Sequence, residues 1–185
     1  MLSKSIIKVV FRALNFFYKN GFAVIHYFWE EHTKSRLGYC GEGVRLVGFS
    51  KFVQPSQIKL GNNVFIGGNA WFRAGGGIEI GDNTQISRNC AIFAASHNYK
   101  GKCLPYDDTL ITKPVRIGRN VWIGMSVNII PGITIGDGAI VALGTTVVKD
   151  VPALAIVGGA EQRVLGYRDK AHYESLDSQG SYRGV

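Results

Sequence analysis

The sequence predicts an all-β solenoid behind an α-helical N-terminal segment, and three observations carry that prediction. From Leu60 onward the chain cuts into twelve hexapeptides in phase, each opening on an aliphatic or aromatic residue with a small or β-branched residue four places later. Glycine is unusually frequent, 24 of 185 residues, so the backbone must turn often. The rhythm breaks once, after Ser96, and resumes about twenty residues later.

The first element is helical. In residues 1–36, Lys4, Lys8, Arg12, Asn15 and Lys19 follow at steps of four, four, three and four, one polar stripe on a segment otherwise coated with Ile, Val, Leu and Phe. The longest run without a charge, Asn20 to Trp29, is ten residues, half of a bilayer-spanning helix. Two roles fit: an interfacial helix on an anionic membrane, or an apolar face packed on the rest of the protein or on a second subunit. This segment is assigned residues 1–40.

The repeat follows. Its units read LGNNVF, IGGNAW, FRAGGG, then, after a two-residue insertion at Ile78-Glu79, IGDNTQ, ISRNCA and IFAASH; after the interruption they read IGRNVW, IGMSVN, IIPGIT, IGDGAI, VALGTT and VVKDVP. A helix needs a period of 3.6 and rejects this much Gly and Asn, so short strands joined by tight corners are expected. The first and fifth residues of each unit, such as Ile123 with Val127 and Ile92 with Ser96, point inward, and stacked units bury one apolar column. The solenoid spans 41–165 with an excursion loop at 98–116. Residues 166–185 form a C-terminal cap, around Asp169 to Leu176, and a tail.

Composition narrows the function. Charged residues are 18% of the chain and apolar ones 46%, which excludes disorder. The net charge of +8 is dispersed and carries no nucleic-acid recognition motif, and a polyanionic small molecule or an anionic membrane surface explains its sign equally well. Cys40, Cys90 and Cys103 form an odd, unpatterned set without a CxxC pair or a secretory leader, which suits a reducing cytoplasm, with peripheral contact at the inner face of the membrane if the helix binds it.

"KPVRIGRNVWIGMSVNIIPGITIGDGAIVALGTTVVKDVP", residues 113–152, and the isolated histidine of "SHNY" resemble the hexapeptide-repeat acyltransferases, in particular galactoside and maltose acetyltransferases and polysaccharide O-acetyltransferases. The resemblance covers roughly residues 60 to 165. It implies a left-handed parallel β-helix with three hexapeptides per coil, a homotrimer, and acetyl-CoA lying between neighbouring solenoids. It also implies an acetyl transfer to a hydroxyl of a sugar or polysaccharide precursor in one ternary complex.

On that resemblance His97, at the corner where the excursion leaves the solenoid, is the general base, since a neutral imidazole can take the proton of an attacking hydroxyl. A backbone carbonyl, Asp107 or Asp108 are open candidates for orienting it. The Met125 amide is the oxyanion donor. Gly124, Met125, Leu143, Lys149 and Arg163 line the acetyl-CoA groove, the two cations suiting its phosphates. "GAEQRV", residues 159–164, departs from the family's Gly-x-Pro-Ala-Lys pattern but keeps a cation at Arg163. Asn69, Trp71, Arg73 and Tyr99 are acceptor candidates by proximity in the solenoid.

The rivals are weaker. His26, His32 and His172 fall outside the repeat and read as structural. Cys90 occupies an inward position and Cys103 has no activating neighbour, so neither is expected to be a nucleophile. A zinc site needs three imidazoles from the coils and the repeat region has only His97, so no metal is expected. An N-acetyltransferase acting on an amino sugar would use the same base and groove. A non-catalytic scaffold would ignore loss of His97.

Overall fold

The computed structural model of the protein describes residues 4–100, 102, 104–159 and 163–180. Helix α1 spans Lys4–Ser35. The chain then winds through coils of three short strands: β1 Tyr39–Cys40, β2 Arg45–Leu46 and β3 Lys51–Val53; β4 Ile58–Leu60, β5 Phe65–Ile66 and β6 Trp71–Arg73; β7 Ile78–Ile80, β8 Gln85–Ile86 and β9 Ala91–Phe93. A hairpin of β10 Ala95–His97 and β11 Leu110–Thr112 interrupts it. Winding resumes with β12 Val115–Ile117, β13 Trp122–Ile123 and β14 Asn128–Ile129, then β15 Thr134–Ile135, β16 Ile140–Val141 and β17 Thr146–Val147. A partial last coil holds Val151, bridged to Ile135, and β18 Ala155–Gly158; β19 Arg163–Tyr167 and α2 Lys170–Ser178 end it.

The strands stack into three parallel sheets, giving the solenoid three faces. The first face is β1-β4-β7-β12-β15, the second runs from β2 to β18 with β19 added antiparallel, and the third is β3-β6-β9-β14-β17. Alternation of four and two along the chain drives the winding. Ile117, Val121, Ile123, Val127, Ile129, Ile133, Ile135, Ala139, Val141, Thr145, Val147 and Val151 are all buried, so every coil contributes to one column.

Side chains hold the corners together as well. Asn63, Asn83 and Asn120 recur at one corner, and Asn69 and Asn89 at the next, all with positive φ. Asn63 Nδ2 donates to Asn83 Oδ1 (3.2 Å) and Asn69 Nδ2 to Asn89 Oδ1 (3.0 Å), so the residues that tolerate the turn also bond coil to coil.

Two details of the repeat differ from expectation. Ile78 and Glu79 are not an insertion: Ile78 is fully buried in β7, paired with Ile58 and Val115. The two extra residues lie in the Gly-rich corner between Phe72 and Ile78, where Gly76 passes so close to the next coil that a Cβ would stand 2.4 Å from the Ala94 carbonyl oxygen. Ser96 does not point inward either. Ala94 and Ala95 fill the core instead, Ser96 is exposed, and the chain has already left the coil. The excursion therefore runs from β10 to β11 and rejoins at Val115, somewhat earlier at both ends than residues 98–116.

Both ends of the stack are closed. Leu46 and Gly48 of the first coil turn their N–H groups away from the second coil, and α1 receives them: Glu30 Oε1 accepts from Leu46 N–H (2.9 Å) and His26 Nε2 from Gly48 N–H (2.7 Å). Trp29 seals the joint against Phe49 and Phe52, at ring-centroid distances of 5.3 and 6.4 Å. The C-terminal cap is built of two pieces. Strand β19 covers the edge of β18, while α2 lies along the flank, where Tyr173 and Asp177 accept from Asn120 Nδ2 and Asp177 pairs with Arg119 (2.9 Å).

Replacing Ile123 by Ala should cost about 2–5 kcal/mol in urea unfolding, against about 0.5 kcal/mol for the outward Ile130→Ala. The α1 joint should weaken in acid. Partial burial pushes the Glu30 carboxyl up from its ordinary 4.5, but the Leu46 N–H and Lys34 outweigh it, and the net shift is downward. A depressed carboxyl stabilises above its unfolded pKa and loses that contribution as pH falls through the folded value. Protection of the Leu46 amide relative to that of Val47, measured by hydrogen exchange, should therefore drop on acidification, and should be low and insensitive to pH in Glu30→Gln.

Candidate active site

His97 ends β10, two residues after Ala95, the last buried position before the hairpin. The hairpin exists because Ala95, Ser96 and His97 pair antiparallel with Thr112, Ile111 and Leu110. Beyond it the loop is organised by Asp107: Oδ2 accepts from Lys102 N–H (3.0 Å), and Oδ1 accepts from the Thr109 hydroxyl and from Thr109 N–H (3.0 Å). Those bonds, the Thr109 hydroxyl first, hold its carboxyl below the usual range. Asp107 therefore shapes the loop, and its oxygens are committed away from the histidine. The residue that meets His97 is Tyr106, whose ring stacks on the imidazole at 4.1 Å between centroids and 18° between planes.

Beside the hairpin, the outward side of the third face carries an aromatic floor. Trp71 meets Phe93 edge to face at 5.1 Å, and Lys51 Nζ stands 4.9 Å from the centre of the Trp71 ring. Arg73 lies in register with Phe93, two residues before the hairpin begins. Through Phe93 the Trp71 ring and Arg73 thus stand on the face whose far edge leads into the His97 hairpin, and Tyr99, two residues after His97, is exposed. Asn69 does not join them. It sits at the opposite corner, with positive φ, in the ladder with Asn89.

The expected cofactor residues other than Lys149 form a second group. Gly124 and Met125 turn the corner between the second and third faces, and Leu143 stands on the next coil, its neighbour Gly144 donating to the Met125 carbonyl (2.8 Å). Gly124 is required there, because a Cβ would lie 2.6 Å from the Leu143 nitrogen. Among the described residues the Met125 N–H has no hydrogen-bond acceptor. Met125 and Leu143 are exposed. Exposed Arg163 lies on the same ridge, paired with Gly158 above the Leu143 corner. Lys149 is exposed at the other corner of the third face, in the column of Ala94 from which the hairpin springs.

The two groups do not meet within one chain. About six residues of extended chain, roughly 20 Å, separate the Met125 corner from the hairpin corner. Cys90 is no rival nucleophile: it is buried, its thiol donates to the Gly124 carbonyl (3.2 Å), and burial pushes its pKa up. Cys103 and residues 160–162, with the expected departure at Glu161 and Gln162, lie outside the described residues.

Tyr106, Phe93, Lys51 and the outward Trp122 were not singled out in the sequence. Phe93 had a readable signal, an outward aromatic twenty-two residues after outward Trp71 in a twenty-residue coil. A cleft of about 330 Å³ lies elsewhere, between α2 and the second face, lined by Asn120, Trp122, Arg168, His172 and Tyr173, and shares no residue with the hairpin.

Comparison with known proteins places this arrangement. Residues 114–149 match the family model for the bacterial transferase hexapeptide (six repeats), and residues 57–94 that for the hexapeptide repeat of succinyl-transferase. Galactoside O-acetyltransferase of Escherichia coli (strain K12) is 33% identical over 137 residues, 69% of this chain and 67% of that enzyme. A relative from Staphylococcus aureus (strain Mu50) is 37% identical over 111 residues, 59% of this chain, but only 54% of its own length is spanned. Among solved structures, a hexapeptide-repeat-containing acetyltransferase from Vibrio cholerae superposes with a TM-score of 0.69 at 30% identity, over 75% of this chain and 78% of that one. A galactoside acetyltransferase in complex with coenzyme A gives 0.69 at 28% identity, over 76% and 70%.

If the Tyr106 ring holds the imidazole, His97 ring protons should carry an upfield ring-current shift in NMR spectra. Tyr106→Phe should keep that shift, and Tyr106→Leu should abolish it without altering the melting temperature.

Proposed function

The chain belongs to the hexapeptide-repeat acetyltransferases, and from that premise we propose that it moves acetyl from acetyl-CoA to a hydroxyl of a sugar or polysaccharide precursor. The observation that carries the reading is His97 at the edge of an aromatic floor, on a hairpin that breaks an otherwise regular solenoid. Flat apolar rings such as Trp71 and Phe93 suit the faces of a pyranose, and Arg73 and Tyr99 supply polar contacts. A galactoside O-acetyltransferase among the relatives supports a saccharide acceptor, and solved relatives in complex with coenzyme A or acetyl-CoA support the donor.

This chain's residues fit that donor. The bare backbone at Gly124 opens a ridge floored by Met125 and Leu143 for an apolar chain, and the cations Lys149 and Arg163 suit phosphates. In the proposed step His97 takes the proton of the acceptor hydroxyl as that oxygen attacks the thioester carbonyl carbon. The Met125 N–H receives the charge that collects on the carbonyl oxygen. The protonated imidazole then returns its proton to the departing thiolate, so atoms and charges balance without an acyl-enzyme. Because roughly 20 Å separates the hairpin from the Met125 corner in one chain, the step calls for His97 of one copy and Met125 of another. A homotrimer with its sites between subunits meets that need.

Incubation with acetyl-CoA and a saccharide panel, read by mass spectrometry, tests the proposal. The product should be an ester, lost in mild alkali; an alkali-stable amide would reassign the enzyme to amino sugars. His97→Ala should lower kcat by about 100-fold or more while the melting temperature stays unchanged.

A further inference from the structure

We infer that the outer face of α1 is a membrane-binding surface, which seats the solenoid by its first coil on an anionic lipid layer. This stands apart from the transfer chemistry and rests on which side of the helix docks. His26, Glu30 and the buried Thr33 face the first coil, at steps of four and three. Carried toward the N-terminus, that line meets Phe22, which packs on Phe49 at 5.6 Å between ring centroids, and then Lys19, Asn15, Arg12, Lys8 and Lys4. The polar stripe and the docking face are thus one side of one helix.

The apolar side is therefore turned away from the protein's own core. Val10, Phe17, Val24 and Phe28 follow at steps of seven, seven and four, opposite the docking line, and are 49%, 70%, 54% and 66% exposed. Ile25 and Tyr27 broaden the band, and both are exposed. From Val10 to Phe28 it is roughly 27 Å long. Because α1 receives the N–H groups that point out of the first coil, the band faces outward from the end of the stack.

Charge decides what covers it. No Asp or Glu occurs before Glu30, while Lys4, Lys8, Arg12 and Lys19 do, and Lys8 and Arg12 are exposed. A second copy packed against the band would double this charge and bring no acidic residue before Glu30 to offset it. An anionic lipid layer offsets that charge and takes up the apolar band, and exposed Phe16, Phe17, Tyr18, Tyr27 and Phe28 favour the headgroup boundary. No helix of the described residues is long and apolar enough to cross a membrane, so the helix lies on the surface.

The test is flotation of the full-length protein with phosphatidylcholine vesicles, alone or with a minority of phosphatidylglycerol. The protein should float with the anionic vesicles at low salt, and at least tenfold less with phosphatidylcholine alone. Phe17→Glu/Phe28→Glu should reduce flotation by at least tenfold, as should Lys8→Glu/Arg12→Glu, with the melting temperature unchanged in both since neither pair contacts the solenoid. Failure of the unaltered protein to float would overturn the proposal, as would flotation that both double variants retain. A lipid-free change of oligomeric state in Phe17→Glu/Phe28→Glu, seen by analytical ultracentrifugation without flotation of the parent, would assign the face to a second copy instead.

Discussion

Everything in this molecule depends on strands that bond only along the stack. Each strand of a coil satisfies its backbone through the coils before and after it, as Arg45 does through Val64 and Phe65 through Thr84. Inward positions are then committed to one continuous column, and outward positions carry no packing duty. A break in the winding is tolerated only at a corner, where the chain can leave after one buried residue and return at the next coil. The His97 hairpin obeys this rule, departing after Ala94 and Ala95 and rejoining at Val115 without disturbing the pairing of Ile78 with Val115.

The same geometry divides the chemistry. A corner of the solenoid is rigid, since Gly124 is wedged against the Leu143 backbone and Met125 bonds the next coil, so an amide there is held in advance of any ligand. The hairpin stands outside the parallel stack, and its histidine is braced by a ring, Tyr106, from its own loop. The amide on the ridge and the histidine on the hairpin are the two groups on which the proposed transfer relies. The width of a face keeps the two apart within one chain, so the transfer proposed above draws its two groups from different copies.

Much of this was legible in the sequence, for physical reasons. The column from Ile117 to Val151 follows from spacing alone, because burial enforces the period at every coil. Where two neighbouring inward candidates are both apolar or both small, the period loses its grip. Ile78 and Ile80 are both buried, so the sequence could not say where the extra residues sat; Ala94 and Ala95 are both small, so Ser96 was assigned a place in the core that it does not hold. Tyr106 and Asp107 were beyond reach for another reason. Their roles depend on how an irregular loop folds on itself, and no period constrains that. Asn69 shows the converse: proximity in the repeat suggests an acceptor contact, while its side chain bonds Asn89 in the corner ladder.

Helix α1 shows why an amphipathic pattern does not by itself reveal which side is buried. An open β edge exposes N–H groups, and its strongest demand is for acceptors rather than for oil. Glu30 and His26 meet that demand, and only a polar stripe can deliver them in line, so the helix docks by the side that a hydropathy argument would send to solvent. Trp29 and Thr33 add what burial the joint needs, close to the helix C-terminus. The bands through Phe17 and Phe28 are then left outside as a consequence of capping and not as a failure to pack. A surface produced in this way lies at a fixed end of the stack, and whatever it binds acquires a defined orientation relative to the His97 hairpin.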